Sequence, residues 1–274
     1  MKNLIFKGVL LGTVVLSSAS TNAKDAIPEA VQANYEKCTD KRLLSAVRAL
    51  ACKRLLESPE SRELNLGKIH HYQAISYAHL RMLDKAIKHY NEALKHSPKN
   101  ALIYYNRAVA ETKQGDTKAA IRSLDTAILL NPSHYQAIVR RGVLYANLKN
   151  FKYALRDYSE ALRIKPNYFL AVLNRGNAYL SLNQVKKAFL DFEQAIKLRA
   201  NSASAHYGQA LTWWRSGKMY RALGSLEKVL QIDPNHKSAL KFQNIIARRL
   251  LKLKKRKSEP ETEPTVEKPE SSHI

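Results

Sequence analysis

Acidic residues are scarce in this chain. Its 274 residues hold 23 aspartates and glutamates against 46 lysines and arginines, a formal charge of +23. Such an imbalance raises a nucleic acid or another anionic surface as partner. Cysteine is nearly missing: Cys38 and Cys52 are the two, and they form no CxxC redox motif. The sequence has no glycine-rich phosphate loop, no GxSxG elbow and no HExxH pair. It therefore offers no nucleotide, acyl-transfer or metalloprotease chemistry, and neither an enzyme nor a cofactor is expected. His71 and His79 share a helical face but lack a cysteine or carboxylate at ligand spacing, so no metal site is read there. Long apolar runs are missing as well. The stretch Gly8 to Ala19 is about 12 residues, short of the roughly 20 that span a bilayer.

That stretch has another use. Lys2 and Lys7 charge the start, and Thr21-Asn22-Ala23 offers a small-x-small cleavage site, so residues 1–23 read as a signal peptide cleaved after Ala23. An uncleaved anchor is the alternative. Without a cysteine at the cleavage point no lipoprotein is expected, and the mature chain is placed in the periplasm or outside the cell. Losing Lys2 and Lys7 leaves a charge of +21.

Proline is sparse but regularly placed. Pro98, Pro132, Pro166, Ala200 and Pro234 follow one another at steps of 34 residues, and the blocks they close are 67–100, 101–134, 135–168, 169–202 and 203–236. The eighth place of each block is small: Ala74, Ala108, Gly142, Gly176, Ala210. The eleventh holds Tyr77, Glu111, Tyr145, Tyr179 and Trp213; the twentieth is alanine five times, from Ala86 to Ala222. The twenty-fourth is large: Tyr90, Leu124, Tyr158, Phe192, Leu226. Small places let two antiparallel helices approach, large ones fill the space beside them, and the proline stops the second helix. Gly115 and Gly217 stand where a first helix must turn.

This pattern resembles the tetratricopeptide repeat over residues 67–236. The resemblance implies an all-α, right-handed superhelical solenoid of helix-turn-helix units with capping helices. Ala200 departs from the family's proline. Arg107, Arg141 and Arg175 depart at the seventh place, usually leucine. Asp157 and Asp191 lie sixteen residues after Arg141 and Arg175, which predicts ion pairs within those units.

In this family the second, fifth, ninth, twelfth and thirteenth places of each unit line the concave face. Here they are largely apolar, with the basic residues near the ends. The expected groove is Tyr105, Asn106, Val109, Val139, Arg140, Val143, Leu173, Asn174, Asn177, Leu180, Tyr207, Leu211 and Trp214, with Tyr207 and Trp214 as aromatic anchors for a protein or peptide. The family's carboxylate clamp is incomplete: Asn106 and Arg140 match it, whereas His71, Ile75 and Gln136 do not. An asparagine ladder at the sixth place is broken after Asn106 by Arg140. The positive charge gathers on the second helices, at residues such as Lys85, Lys88, Lys152, Lys186 and Lys187. That removes nucleic acid from the groove and leaves two readings of the convex face, a solvated surface or a binder of anionic envelope lipid or polymer.

The ends read as caps. Residues 24–66 form an N-terminal cap in which Asp40 starts a helix from about 41 to 56, and Cys38 folds back to meet Cys52 in a disulfide; two buried thiols are the alternative. This segment resembles the partial cap unit of exported alphaproteobacterial repeat proteins. Residues 237–254 form a C-terminal cap helix, and 255–274, rich in proline and glutamate, a disordered tail.

Overall fold

The computed structural model of the protein describes residues 27–258; the signal-peptide segment 1–23 and the tail from 259 onward lie outside them. Among the described residues there are thirteen α-helices, one short 3-10 turn at Pro59–Glu63 and no strand. Two helices precede the repeats, α1 (Glu29–Thr39) and α2 (Ser45–Glu57). Five antiparallel pairs follow: α3 (Leu66–His79) with α4 (Leu83–His96), α5 (Ala101–Gln114) with α6 (Thr117–Leu130), α7 (Tyr135–Asn147) with α8 (Phe151–Ile164), α9 (Phe169–Ser181) with α10 (Val185–Leu198), and α11 (Ala203–Arg215) with α12 (Met219–Ile232). The described residues end on α13 (Lys237–Ser258).

The repeated places explain the pairing. All five eighth-place residues are buried, as are the five alanines of the twentieth place and the five large residues of the twenty-fourth. At Gly142 the approach is so close that a Cβ would stand 2.7 Å from the Tyr158 ring. The core is a succession of clusters, each shared by a unit and its neighbour, so stability is built from unit to unit.

Each first helix ends in the same way. The fifteenth place is left-handed in every unit: Arg81 (φ 63°), Gly115 (φ 96°), Lys149 (φ 60°), Asn183 (φ 57°) and Gly217 (φ 74°). The next amide donates back to the eleventh-place carbonyl, from Met82 to Tyr77 at 2.9 Å through Lys218 to Trp213 at 2.9 Å. Only two of the five are glycine, so the turn is held by its hydrogen bonds and the pairs it joins. Lys149→Gly is expected to stabilise the array by about 0.5–1 kcal/mol, because it removes the Cβ penalty of that conformation. A rise in thermal midpoint checks it, and an unchanged or lower midpoint would refute it. Ala200 keeps its turn as well: Arg199 before it (φ −146°, ψ 91°) is as extended as Lys165 before Pro166 (φ −134°, ψ 88°).

The seventh-place arginines tie first helices to second ones. Arg141 donates to both oxygens of Asp157, at 2.9 and 2.7 Å, and to Asp125 of the preceding unit at 2.7 Å. Arg175 holds Asp191 through the same fork, at 2.9 and 2.7 Å. Arg107 has no aspartate opposite. It donates to Ser123 (3.1 Å) and Asn91 (2.8 Å), and Ser123 in turn donates to Glu111 at 2.6 Å.

The caps differ in detail from the sequence expectation. Asp40 does not start α2, which begins only at Ser45. Its carboxylate instead accepts from the Arg42 backbone N–H at 2.9 Å and from the Arg42 guanidinium, closing the turn after α1. That turn consumes the residues that would have formed the first helical turn. The fold-back itself occurs, and it brings Cys38 and Cys52 together at an S–S distance of 2.03 Å, both fully buried. At the other end α13 runs to Ser258, so residues 255–258 continue the helix instead of beginning the tail. The run from Leu250 to Lys257 contains only good helix formers, and no glycine or proline interrupts it before Pro260.

Candidate functional site, the inner face of the array

Successive first helices approach one another, α3 to α5, α7 to α9 and α9 to α11, which places them on the inner side of the curve. The expected groove residues all lie on these helices, but they are not all available. Val139 and Leu180 are 5% and 6% exposed and belong to the core. Leu180 packs with Ala188 and Phe192, and Leu173 and Leu211 lie partly against the same cluster. Tyr207 and Trp214 are covered on one side by α13: Phe242 meets Tyr207 at 6.1 Å and Trp214 edge-on at 5.6 Å, and Arg249 lies over the Trp214 ring at 5.1 Å. Their aromatic surface is spent on fixing the cap helix, so they are anchors of the fold before they are anchors for a partner.

What stays accessible is the middle of the face. Tyr105, Asn106, Val109, Arg140, Val143, Leu173 and Asn174 are half-buried, and Asn177 is exposed. Leu102 and Leu170, at the second place of their units, extend the apolar edge at 49% and 44% exposure. Asn106 is engaged sideways, within 3.0 Å of His71 Nε2. Burial drives His71 down to about 4, with Lys41 adding to the effect, so its ring is neutral at neutral pH. This pairing occupies the one clamp asparagine present.

Arg140 stands at the centre. Its guanidinium lies 5.6 Å from the Tyr105 ring centroid, and Tyr105 meets His134 at 4.7 Å. Unlike Arg141 and Arg175, Arg140 has no carboxylate partner among the described residues, and its Nε is buried without a hydrogen bond there. Beside it, Tyr135 and Tyr168 pack edge to face at 4.9 Å, and Lys165 Nζ donates to the Tyr135 hydroxyl at 3.2 Å. The Tyr168 phenol is raised by burial and further by Tyr105 and Tyr135, against the pull of Arg140 and Lys165. Burial also lowers His134. The cluster thus presents two cations among aromatic rings, with no acid paired to either among the described residues. His134, Tyr135, Lys165 and Tyr168 escaped the sequence reading because they come from the joints between units, outside the helix places assigned to the groove. The available signal was an aromatic or histidine at the last place of three of the five blocks, His134, Tyr168 and His236.

Among the described residues no three of His, Cys, Asp and Glu converge to hold a metal ion, and no helix is long and apolar enough to cross a membrane.

Comparison with known proteins fits this geometry. A family model described as TPR repeat matches residues 82–115, and models described as tetratricopeptide repeat match 101–134, 135–168 and 173–237. Among curated proteins, the chain is 31% identical over 140 residues to Hsp70-Hsp90 organizing protein 2 of Arabidopsis thaliana, 48% of this chain and 23% of that protein. It is 43% identical over 49 residues to the Hsp70-Hsp90 organizing protein of Triticum aestivum, 18% of this chain and 8% of that one. The chain therefore spans less than a quarter of the length of these relatives. Among solved structures, a tetratricopeptide repeat protein from Parabacteroides merdae superposes with a TM-score of 0.65 at 21% identity, covering 86% of this chain and 95% of its own. YrrB, described as a TPR protein with an unusual peptide-binding site, gives 0.60 at 20% identity, over 72% and 99%. MamA from Desulfovibrio magneticus RS-1 gives 0.59 at 20%, over 62% and 97%. At such identities these likenesses speak to the fold. Periodicity, helix pairing and family match agree: the chain belongs to the tetratricopeptide repeat family.

Proposed function

We propose that this protein is an exported, non-enzymatic scaffold that binds a protein or peptide segment along the middle of its inner face, in units two to four. The observation that carries the reading is the accessible apolar and aromatic surface from Leu102 to Leu170, interrupted by Arg140 and Lys165, neither of which has an acid partner among the described residues. A half-buried guanidinium with an unsatisfied Nε is costly unless a bound group completes it, and a backbone carbonyl or a carboxylate of a peptide would do so. YrrB's description as a peptide-binding protein of the same fold supports the reading. The pairing of Cys38 with Cys52 supports export, since disulfides persist in oxidising compartments.

A photo-crosslinking residue at Val109 or Leu173 in the full chain is expected to trap a partner that the same residue at Lys152, on an outward helix, does not. Tyr105→Ala with Arg140→Gln should then weaken that partner by about 2 kcal/mol or more, measured by titration calorimetry. Equal trapping at Lys152, or unchanged affinity of the double variant, would reject the groove. Tyr207→Ala and Trp214→Ala are unsuitable probes, because they loosen α13 first.

A further inference from the structure

The C-terminal helix ends differently from the way it begins. In its first half Ala239, Phe242 and Ile246 are buried against α11 and α12. The same stripe continues at helical spacing as Leu250 and Leu253, but α12 has by then run out. Only its first residues remain alongside, and Met219, Tyr220, Leu250, Leu251, Leu253 and Lys254 line a shallow open hollow. Tyr220 is 77% exposed, Leu251 62% and Leu253 41%. The charge of the helix itself has one sign. The 22 residues of α13 contain nine lysines and arginines and no acid. Lys218 and Arg221, at the adjoining start of α12, add two exposed cations.

We propose that this overhanging end of α13 is a membrane-surface site. It lays Leu250, Leu251, Leu253 and Tyr220 into the boundary between headgroups and acyl chains of an anionic phospholipid bilayer, while Arg248, Lys252 and Lys254 meet the lipid phosphates. The apolar residues decide between anionic partners. A nucleic acid would neutralise the cations and leave Leu251 and Leu253 in water; an anionic lipid surface receives both. The second helices α6, α8 and α10 each expose one large apolar residue, Leu129, Tyr153 and Leu190, whereas Tyr220, Leu250, Leu251 and Leu253 gather around one hollow, so attraction to lipid is concentrated at this helix end. The inference is independent of what the inner face binds.

The test is sedimentation of the full chain with vesicles at 0.15 M salt. Binding to vesicles of equal parts phosphatidylglycerol and phosphatidylcholine is expected, with little binding to phosphatidylcholine alone. Leu251→Ser with Leu253→Ser, both at exposed positions and neutral for the fold by circular dichroism, should reduce the partition coefficient at least about tenfold, and Lys252→Gln with Lys254→Gln by a similar factor. Lys85→Gln, Lys88→Gln, Lys186→Gln and Lys187→Gln together should change it by less than about twofold. No binding to the anionic vesicles would overturn the proposal. So would binding that the leucine variant keeps and the outward-face variant loses, which would reduce it to general surface charge. Competition by a duplex oligonucleotide against a leucine variant that binds it normally would assign the cations to nucleic acid.

Discussion

Arg141→Ala is expected to destabilise the protein by about 3–5 kcal/mol, the largest effect of any single polar substitution in the array. The reason lies in what the substitution leaves behind. Asp157 is 3% exposed, and Arg141 supplies both of its charge-assisted hydrogen bonds. Burial already pushes the Asp157 carboxyl up, and the Arg141 hydrogen bond and charge are the main opposition to that push, with a smaller contribution from Arg156. Without the arginine, a carboxylate remains in the interface between α7 and α8 with its hydrogen-bonded counter-charge gone and only the weaker pull of Arg156 left to offset its burial. Asp125 loses its partner too, which loosens α6 of the unit before. In an array stabilised by nearest neighbours, damage at the third unit uncouples the pairs on either side. Thermal or urea unfolding should therefore broaden as well as shift. Adding Asp157→Leu to Arg141→Met should recover most of the loss, because replacing a whole buried ion pair by apolar groups is far cheaper than removing half of it. The exposed pair Arg163–Glu160, at 2.8 Å, provides the contrast: Arg163→Ala should cost no more than about 0.5 kcal/mol. If Arg141→Ala and Arg163→Ala cost the same, the seventh-place arginines are surface ornaments and this account of the units is wrong.

Those arginines were legible in the sequence because a 34-residue period gives each place one environment five times over. A residue at place seven and an acid sixteen positions later face each other wherever both occur, and Arg107 shows the rule by its exception, with Ser123 in the acid's place. The groove was less legible for the same geometric reason. A place assigns a side chain to a helical face only to within part of a turn, and the units twist relative to one another. Val109 and Val143 stay at the surface, while Val139 and Leu180 pass beneath it. The end of the groove was hidden by a different effect. Lys268, not a proline, stands 34 residues after Pro234, yet α13 docks as though it were the first helix of a sixth unit. Its sixth-place Phe242 then covers Tyr207 and Trp214. The aromatic and basic centre around Arg140 was missed because half of it comes from joints such as Lys165 and Tyr168, whose side chains are positioned by the turn and carry no helical periodicity.

Stability should also fall steeply on mild acidification, from pH 6.5 toward pH 4, through two histidines of the first unit. His71 is held down to about 4 by burial first and by Lys41 second. His89 is held to about 4 by burial, then by the neighbouring His70 and Lys88, with Glu92 acting in the opposite sense. His70, itself lowered by burial, faces His89 with the two Nδ1 atoms 3.0 Å apart, a contact that needs at least one neutral ring. Glu92 opposes the lowering of His70 as well, while the nearby His96 and Lys95 add to it. In the unfolded chain each histidine takes up a proton near pH 6.5. The folded chain refuses that proton until about pH 4, so the unfolded state binds more protons throughout this window and gains on the folded one as pH falls. The contribution is fully present above pH 6.5. With both rings partly open to solvent, each is worth about 1–2 kcal/mol by pH 4. Loss should begin at α3 and α4 and reach the joint with the N-terminal cap, where the Cys38–Cys52 bond keeps α1 and α2 together. Hydrogen exchange at pH 5 against pH 7.5 should show opening in α3 and α4 while α9 to α12 stay protected. His71→Gln with His89→Gln should flatten the pH dependence of the thermal midpoint between 6.5 and 4. An equally steep dependence in that double variant would assign the acid sensitivity to carboxylates and refute the histidine mechanism.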